Sequence, residues 1–490
     1  MAEPAAPAVL PDELGPLDYL LHRGEANPRT RSGIMALELL DTTPDWERFR
    51  ARFENASRRV LRLRQKVVVP TLPTAAPRWV VDPDFNLDFH VRRVRVAEPG
   101  TLRQVFDLAE VILQSPLDIS RPLWTATLVE GLADGKAAML LHVSHAVTDG
   151  VGGVEMFAQI YDLERDPPPR PTPPQPIPQD LSSNDLMRQG INHLPMAIVG
   201  GVLGALSGAV SVAGRAVLEP TSTVSGLVGY ALSSVRVMNR AAEPSPLLRR
   251  RSLTTRTEAI DMPLSDLHKA AKAGGGSIND AYLAGLCGAL RLYHEGLGVP
   301  ISTLPMAVPV NLRGDADAAG GNQFTGVNLA APIGTVDPTA RMRKIRAQMT
   351  QRRDEPAMNV VGSLAPVLSI LPRAVLEGIT SSVVGSDVQA SNVPVFPGDT
   401  FLAGAKIMRQ YGIGPLPGVA MMVVLISRGG WCTITVRYDR ASVRNDELFA
   451  QCLLKGFNEI LALAGDPAPR ARPASFSTPD EADSRSVSGS

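Results

Sequence analysis

Residues 137–150, AAMLLHVSHAVTDG, are the stretch from which the rest of the chain is read. Ala137 to His145 reads as a strand, Trp124 to Glu130 as its hairpin partner, and Asp134-Gly135 as the turn between them. Side chains alternate along a strand, so Met139, Leu141, Val143 and His145 share one face and Ser144 points to the other. His145 therefore ends an apolar face at the mouth of the Asp149-Gly150 turn. A side chain there sits on a rigid element and still reaches a channel. An imidazole suits proton abstraction from a hydroxyl near neutral pH, contributing about 10²–10⁴-fold as a general base. Asp149 can organise the loop by pairing with a cation or with backbone N–H groups. A satisfied core histidine beside an ordinary Asp-Gly turn fits the same spacing.

Working outward, the chain has 490 residues with 49 Lys+Arg and 49 Asp+Glu, a net charge of zero. That balance argues against a dedicated nucleic-acid binder. With 44% hydrophobic residues there is ample material for a core, and wholesale disorder is excluded. At about 150 residues per domain, the length predicts roughly two to four domains. The three cysteines, Cys287, Cys432 and Cys452, are widely spaced in apolar runs and build neither a disulfide framework nor a zinc site. They read as buried small hydrophobes in a reducing compartment. The N-terminus has no basic region and no continuous apolar run, so it does not read as a secretory signal.

Residues 1–15 read as a flexible N-terminus and 16–165 as a first α/β unit. Helical spacing is seen over Asp45 to Arg64 and over Thr101 to Gln114. His90 reads as structural. The proline block 167–178, PPPRPTPPQPIP, cannot continue a helix or central strand and marks a boundary. Residues 166–250 form a linker and an apolar crossover. Within it, Leu194 to Gly214 carries no charge, and the options are a spanning helix, a helix packed on the body, or one lying on a lipid surface. Arg249-Arg250-Arg251 with Arg256 reads as a solvated basic face that can also meet anionic headgroups. Residues 251–465 form a second α/β unit. Ser277 caps a helix with Asp280 at its third position. Strands are expected at Thr303–Leu312, Val327–Ile333, Ala420–Ser427 and Thr433–Tyr438, and helices at Pro338–Arg353 and Asp446–Ala464. Residues 466–490 read as a disordered tail.

Several short motifs follow one another along the chain. They are Pro16-Leu17-Asp18, Leu117-Asp118-Ile119-Ser120-Arg121-Pro122-Leu123-Trp124, His145 to Gly150, and Asn279-Asp280. Then come Val308-Pro309-Val310-Asn311-Leu312-Arg313, Gly320-Gly321-Asn322-Gln323-Phe324, and Ser391-Asn392-Val393-Pro394 before Ala403-Gly404-Ala405. In this order the chain resembles the bacterial wax ester synthase/diacylglycerol acyltransferases, of the coenzyme A-dependent acyltransferase superfamily. The family pattern is His-His-x-x-x-Asp-Gly; Ser144 stands where the first histidine would be. Because Ser144 points away from His145, its presence is expected to tune packing or hydrogen bonding rather than remove the base.

The resemblance implies an α/β fold of two chloramphenicol acetyltransferase-like lobes, a pseudodimer with a tunnel between them. It implies acyl transfer from acyl-CoA, as co-substrate, to diacylglycerol or a long-chain alcohol, with no covalent acyl-enzyme, no other cofactor and no metal. His145 would be the general base. Asp149, with Gly150, would hold the catalytic loop through a salt bridge to Arg313. Ser144, Asn279 and Asp280 would lie near the substrate channel, and Trp124 would brace the hairpin. The protein would be cytoplasmic, peripherally attached to the inner membrane or to lipid inclusions, with no nucleic-acid partner. Two other functions fit the same motifs: a degenerate lipid-binding or droplet-associated protein, motivated by Ser144, and a condensation-type enzyme using carrier-protein thioesters.

Overall fold

The computed structural model describes residues 12–72, 74–148, 153, 156, 158–168, 171–193, 241–311, 324–353, 386–465 and 470–476. Asp149, Gly150, Arg313, the motif residues 320–323 and the apolar segment 194–214 lie outside them.

Two sheets organise the chain. The strands, in chain order, begin with β1 (Gly33–Leu40), β2 (Gln65–Val68), β3 (Arg78–Val81), β4 (Val91–Arg95), β5 (Trp124–Glu130) and β6 (Ala137–Ser144), of which β2 and β3 form a separate antiparallel pair. The second half contributes β7 (Thr255–Pro263), β8 (Leu304–Asn311), β9 (Phe324–Ala331), β10 (Val388–Pro394), β11 (Phe401–Leu402), β12 (Ala405–Ile413), β13 (Met421–Arg428), β14 (Trp431–Asp439) and β15 (Arg472–Pro473). The first sheet has the order β11-β12-β1-β6-β5-β4 and the second β15-β7-β14-β13-β10-β8-β9. The hairpin around Asp134-Gly135 forms as expected, with Trp124 opposite Val143. Gly429-Gly430 closes a second hairpin in which Arg428 faces Trp431.

The first sheet is not built from consecutive sequence. β11 and β12 come from the second half of the chain, and β12 pairs with β1, placing Met35 opposite Ile413 and Glu38 opposite Gln410. The second sheet grips this visiting strand: Thr433 Oγ1 donates to the Gln410 carbonyl at 2.6 Å, and Thr435 Oγ1 donates to the Gly412 carbonyl. Side-chain hydroxyls thus satisfy backbone acceptors that a further strand would otherwise take.

Helices cover the outer faces. Leu102–Gln114, closed by the Thr101/Gln104 capping box, packs Val105, Phe106 and Ala109 into the first sheet. Ile278–Gly296 and Asp446–Leu461 cover the second, burying Tyr282, Leu286, Phe449 and Phe457. Trp124 is fully buried between Phe53 and His90, and its Nε1 donates to the Leu63 carbonyl at 2.7 Å. It braces the hairpin, and His90 is a packed core residue. All three cysteines are buried.

Two expectations change. The C-terminal stretch is not featureless: Arg472 and Pro473 pair with β7, and the Phe476 carbonyl accepts from Lys136 Nζ at 2.8 Å. Backbone pairing, invisible to a hydrophobicity count, fixes a segment with few apolar residues. The arginines near 250 do not form one free basic face. Arg251 turns inward to the carbonyls of Leu248 and Gly418, and Arg256 pairs with Glu258 and Asp446. Among the described residues, no helix is long and apolar enough to cross a membrane.

Candidate active site

β6 ends at Ser144 because the chain turns there. The Ser144 carbonyl accepts the Val147 N–H at 3.0 Å, and Ser144 Oγ accepts the Ala146 N–H at 3.2 Å. A serine closes such a turn with its own hydroxyl. His145 follows, with its N–H donated to the Ser32 carbonyl at 3.3 Å. Its Nδ1 lies 3.2 Å from the Thr148 carbonyl. A carbonyl only accepts, so Nδ1 carries a proton, and in the neutral ring Nε2 then carries the lone pair. That tautomer presents Nε2 as a base.

The alternation predicted for this strand is observed. Leu141, Val143 and His145 line a cavity of about 260 Å³ between the two sheets. β1 contributes Ile34 and Ala36, β12 contributes Gly412, and the second sheet faces them with Val393, Val424 and Ile426. Gly412 is needed at this approach: a Cβ there would lie 2.9 Å from Val424 Cγ1. Pro309 and Ser391 to Pro394, from two of the motifs, reach the same cavity.

The other face of β6 is packed. His142 is buried under Gly33, where a Cβ would lie 2.6 Å from its Nε2. Burial first, then the charges of Arg437 and Arg31, hold its pKa down at about 3, so this ring stays neutral. Ser144 is fully buried and donates its hydroxyl to Glu25 Oε1 at 2.6 Å; Ser32 Oγ donates to the same oxygen at 2.8 Å. Glu25 thus ties together the residue before His145 and the residue whose carbonyl holds the His145 N–H. The sequence carries no pattern that marks Glu25, since the contact joins residues 119 positions apart.

The expected site residues separate as follows. His145 is at the cavity. Ser144 is not a channel residue, because strand alternation turns it to the Glu25 side. Asp280 is not one either: its carboxylate accepts the N–H and hydroxyl of Ser277, both at 2.8 Å, in a capping box. Asn279 is half-buried and is not among the described residues lining the cavity. Sequence reasoning missed Glu25, Gln410, Gly412 and Arg428. A second serine–histidine pair, Ser245 Oγ to His294 Nε2 at 2.7 Å, is sealed in the second lobe with both residues fully buried, so no substrate meets it. Among the described residues no cluster of side chains suits a metal ion.

Comparison with known proteins fits this geometry. Residues 9–282 match the model of the wax ester synthase/diacylglycerol acyltransferase catalytic domain, and residues 320–461 match the WS/DGAT C-terminal domain. The chain is 86% identical, over the whole of both chains, to a Mycobacterium tuberculosis protein named "Putative diacyglycerol O-acyltransferase". Among solved structures it is similar to the wax ester synthase/diacylglycerol acyltransferase from Marinobacter aquaeolei VT8, at TM-score 0.63 and 18% identity, covering 92% of this chain and 100% of that one. The first condensation domain of the calcium-dependent antibiotic synthetase aligns at TM-score 0.55 and 13% identity, over 96% and 100% of the two chains. At those identities the structural matches speak for the fold alone.

Proposed function

Since the chain belongs to the wax ester synthase/diacylglycerol acyltransferase family, we propose that His145 is the general base of its acyl transfer. The protein is an acyltransferase whose substrates are acyl-CoA and diacylglycerol or an alcohol. The observation that supports the assignment is the Nδ1–Thr148 hydrogen bond on the wall of the inter-sheet cavity, since a neutral ring that donates through Nδ1 accepts through Nε2.

The reaction follows from that placement. Nε2 takes the proton of the acceptor hydroxyl as its oxygen attacks the thioester carbonyl. The carbon–sulfur bond then breaks, and the imidazolium returns the proton to the leaving sulfur of coenzyme A. An ester and coenzyme A result, with no acyl group on the protein. Asp149, paired with Arg313, would hold the loop after His145 and take no part in the proton transfer. The apolar walls suit a long acyl chain.

Ser144 does not favour the degenerate lipid-binding alternative, because its side chain lies behind the strand and leaves the cavity face intact. A panel of acceptors decides the function. Purified protein is given labelled palmitoyl-CoA with diacylglycerol, hexadecanol and an acyl carrier protein arm, and products are separated by thin-layer chromatography. Triacylglycerol or wax ester that depends on His145 supports the proposal. Absence of any ester, or transfer only from the carrier protein, contradicts it. We place the enzyme at a lipid surface, where these acceptors partition. Liposome flotation with and without residues 194–214 tests that segment as the anchor, and unchanged flotation on its deletion counts against it.

A further inference from the structure

At the end of the cavity remote from His145, five polar side chains meet in an otherwise apolar wall. Tyr161 donates its hydroxyl to Glu38 Oε1, and Gln410 Nε2 donates to the same oxygen at 3.2 Å. Arg428 donates through Nη1 to Gln410 Oε1 at 3.1 Å and through Nη2 to Thr400 Oγ1. Tyr161, Thr400, Gln410 and Arg428 line the cavity, and Glu38 stands directly behind them, fully buried. Between this cluster and His145 the walls are apolar: Ala36, Leu141, Val424 and Ile426.

The position is informative. Glu38 lies opposite Met139 on β6, and His145 follows six residues later. From Met139 to the turn at Ser144, at ~3.3 Å per residue, the cluster lies roughly 17 Å along the strand from the turn that carries the base. That is a chain's length from the reacting atoms, too far for the ester groups of a glycerol whose hydroxyl is being acylated. A guanidinium and a carboxyl in an apolar wall are costly to bury without partners. Two of the five N–H donors of Arg428 are taken by Gln410 and Thr400. Glu38 Oε2 is sealed from solvent with no hydrogen-bond donor. Burial holds the Glu38 carboxyl up at about 7, so near neutral pH it offsets the charge of Arg428 only in part. A plain hydrocarbon chain entering this end would strip water from Arg428 and return nothing. A chain with an oxygen at that depth would replace the water.

We propose that Arg428, Gln410, Thr400 and Tyr161 form a subsite for an oxygen function, hydroxyl or carbonyl, carried far along a long hydrocarbon chain. The cavity then selects oxygenated chains over plain ones. That the chain belongs to a substrate rests on the acyltransferase reading.

The chain can enter as acyl donor or as alcohol, so the test has two arms. In one, 16-hydroxypalmitoyl-CoA competes with palmitoyl-CoA for a diacylglycerol acceptor. In the other, 1,16-hexadecanediol competes with hexadecanol for palmitoyl-CoA. The expected result is an advantage of about tenfold in kcat/KM for the oxygenated chain in at least one arm, the size of one hydrogen bond to a charged group. In Arg428→Met that ratio falls to about one, and in the milder Thr400→Val it falls part of the way. Equal use of both chains in both arms by the wild-type protein overturns the proposal, as does a preference that survives both substitutions. If no acceptor is acylated, the acyltransferase reading fails, and displacement of a fluorescent fatty-acyl probe by the same pairs of chains decides this one. Tighter binding of the oxygenated chain supports the subsite, and equal displacement overturns it.

Discussion

The hydroxyl of Ser144 donates to the buried carboxylate of Glu25 at 2.6 Å, on the side of β6 away from the cavity. His145, the next residue, faces the cavity. The end of β6 therefore turns the proposed base toward the cavity and sets Ser144 against Glu25 behind it. Removing a partner from a buried carboxylate costs about 1–3 kcal/mol. Ser144→Ala should lower stability to urea by an amount of that order and lower kcat more than it raises KM, because it loosens the His145 turn. Glu25→Gln should act in the same direction. Unfolding titrations and steady-state kinetics on the same preparations check both, and unchanged kcat in both variants would show that the network is not needed to position the base.

Gly412 sets the width of the cavity where β12 approaches β13. A Cβ there meets Val424 Cγ1 at 2.9 Å and Ile426 Cδ1 at 3.0 Å. Gly412→Val should therefore shift donor preference toward shorter acyl chains and reduce kcat/KM for palmitoyl-CoA. A series of acyl-CoA chain lengths reads the shift; an unaltered profile contradicts it.

Packing beneath β6 is equally tight. Gly33→Ala places a methyl 2.6 Å from His142 Nε2. Overpacking of this kind typically costs about 1–3 kcal/mol. The expected outcome is a lower Tm, with the remaining folded protein still active because His142 faces away from the cavity.

The Glu38 carboxyl gives a signed pH dependence. Its pKa is raised from 4.5 to about 7 in the folded protein, by burial. Between these values the folded state holds a proton that the unfolded state has released, so this group lowers stability as pH rises through the window. Over the full shift the loss is on the order of 3 kcal/mol. His142, with its pKa held down at about 3 by burial and by Arg437 and Arg31, works oppositely: its contribution is lost as pH falls below 6.5. Comparing wild type with Glu38→Gln at pH 5 and pH 8 isolates the first effect. The stability difference should move in favour of the variant at the higher pH, and a pH-independent difference would contradict the assignment.

Much of this was legible in the chain itself. The alternation of Met139, Leu141, Val143 and His145 placed His145 on an apolar face, and the hairpin turn at Asp134-Gly135 fixed its partner strand. Helix ends were readable where the cap is local, as with Ser277 and Asp280. What could not be read is what depends on contacts far apart in sequence. β12 joins the first sheet through pairing between Glu38 and Gln410, 372 positions away. No periodicity marks which sheet a strand enters. The polar end of the cavity is assembled from four separate segments for the same reason. Asp280 misled because an acidic residue at a helix start looks the same whether it caps the helix or faces a channel.

In the proposed reaction the proton of the acceptor hydroxyl passes to His145 Nε2. The most direct measurement is single-turnover ester formation by His145→Ala with saturating palmitoyl-CoA and diacylglycerol, in protein shown to fold by its unfolding transition. The expected result is a loss of at least about 10²-fold in the rate of ester formation. Ester formation at the wild-type rate would contradict it.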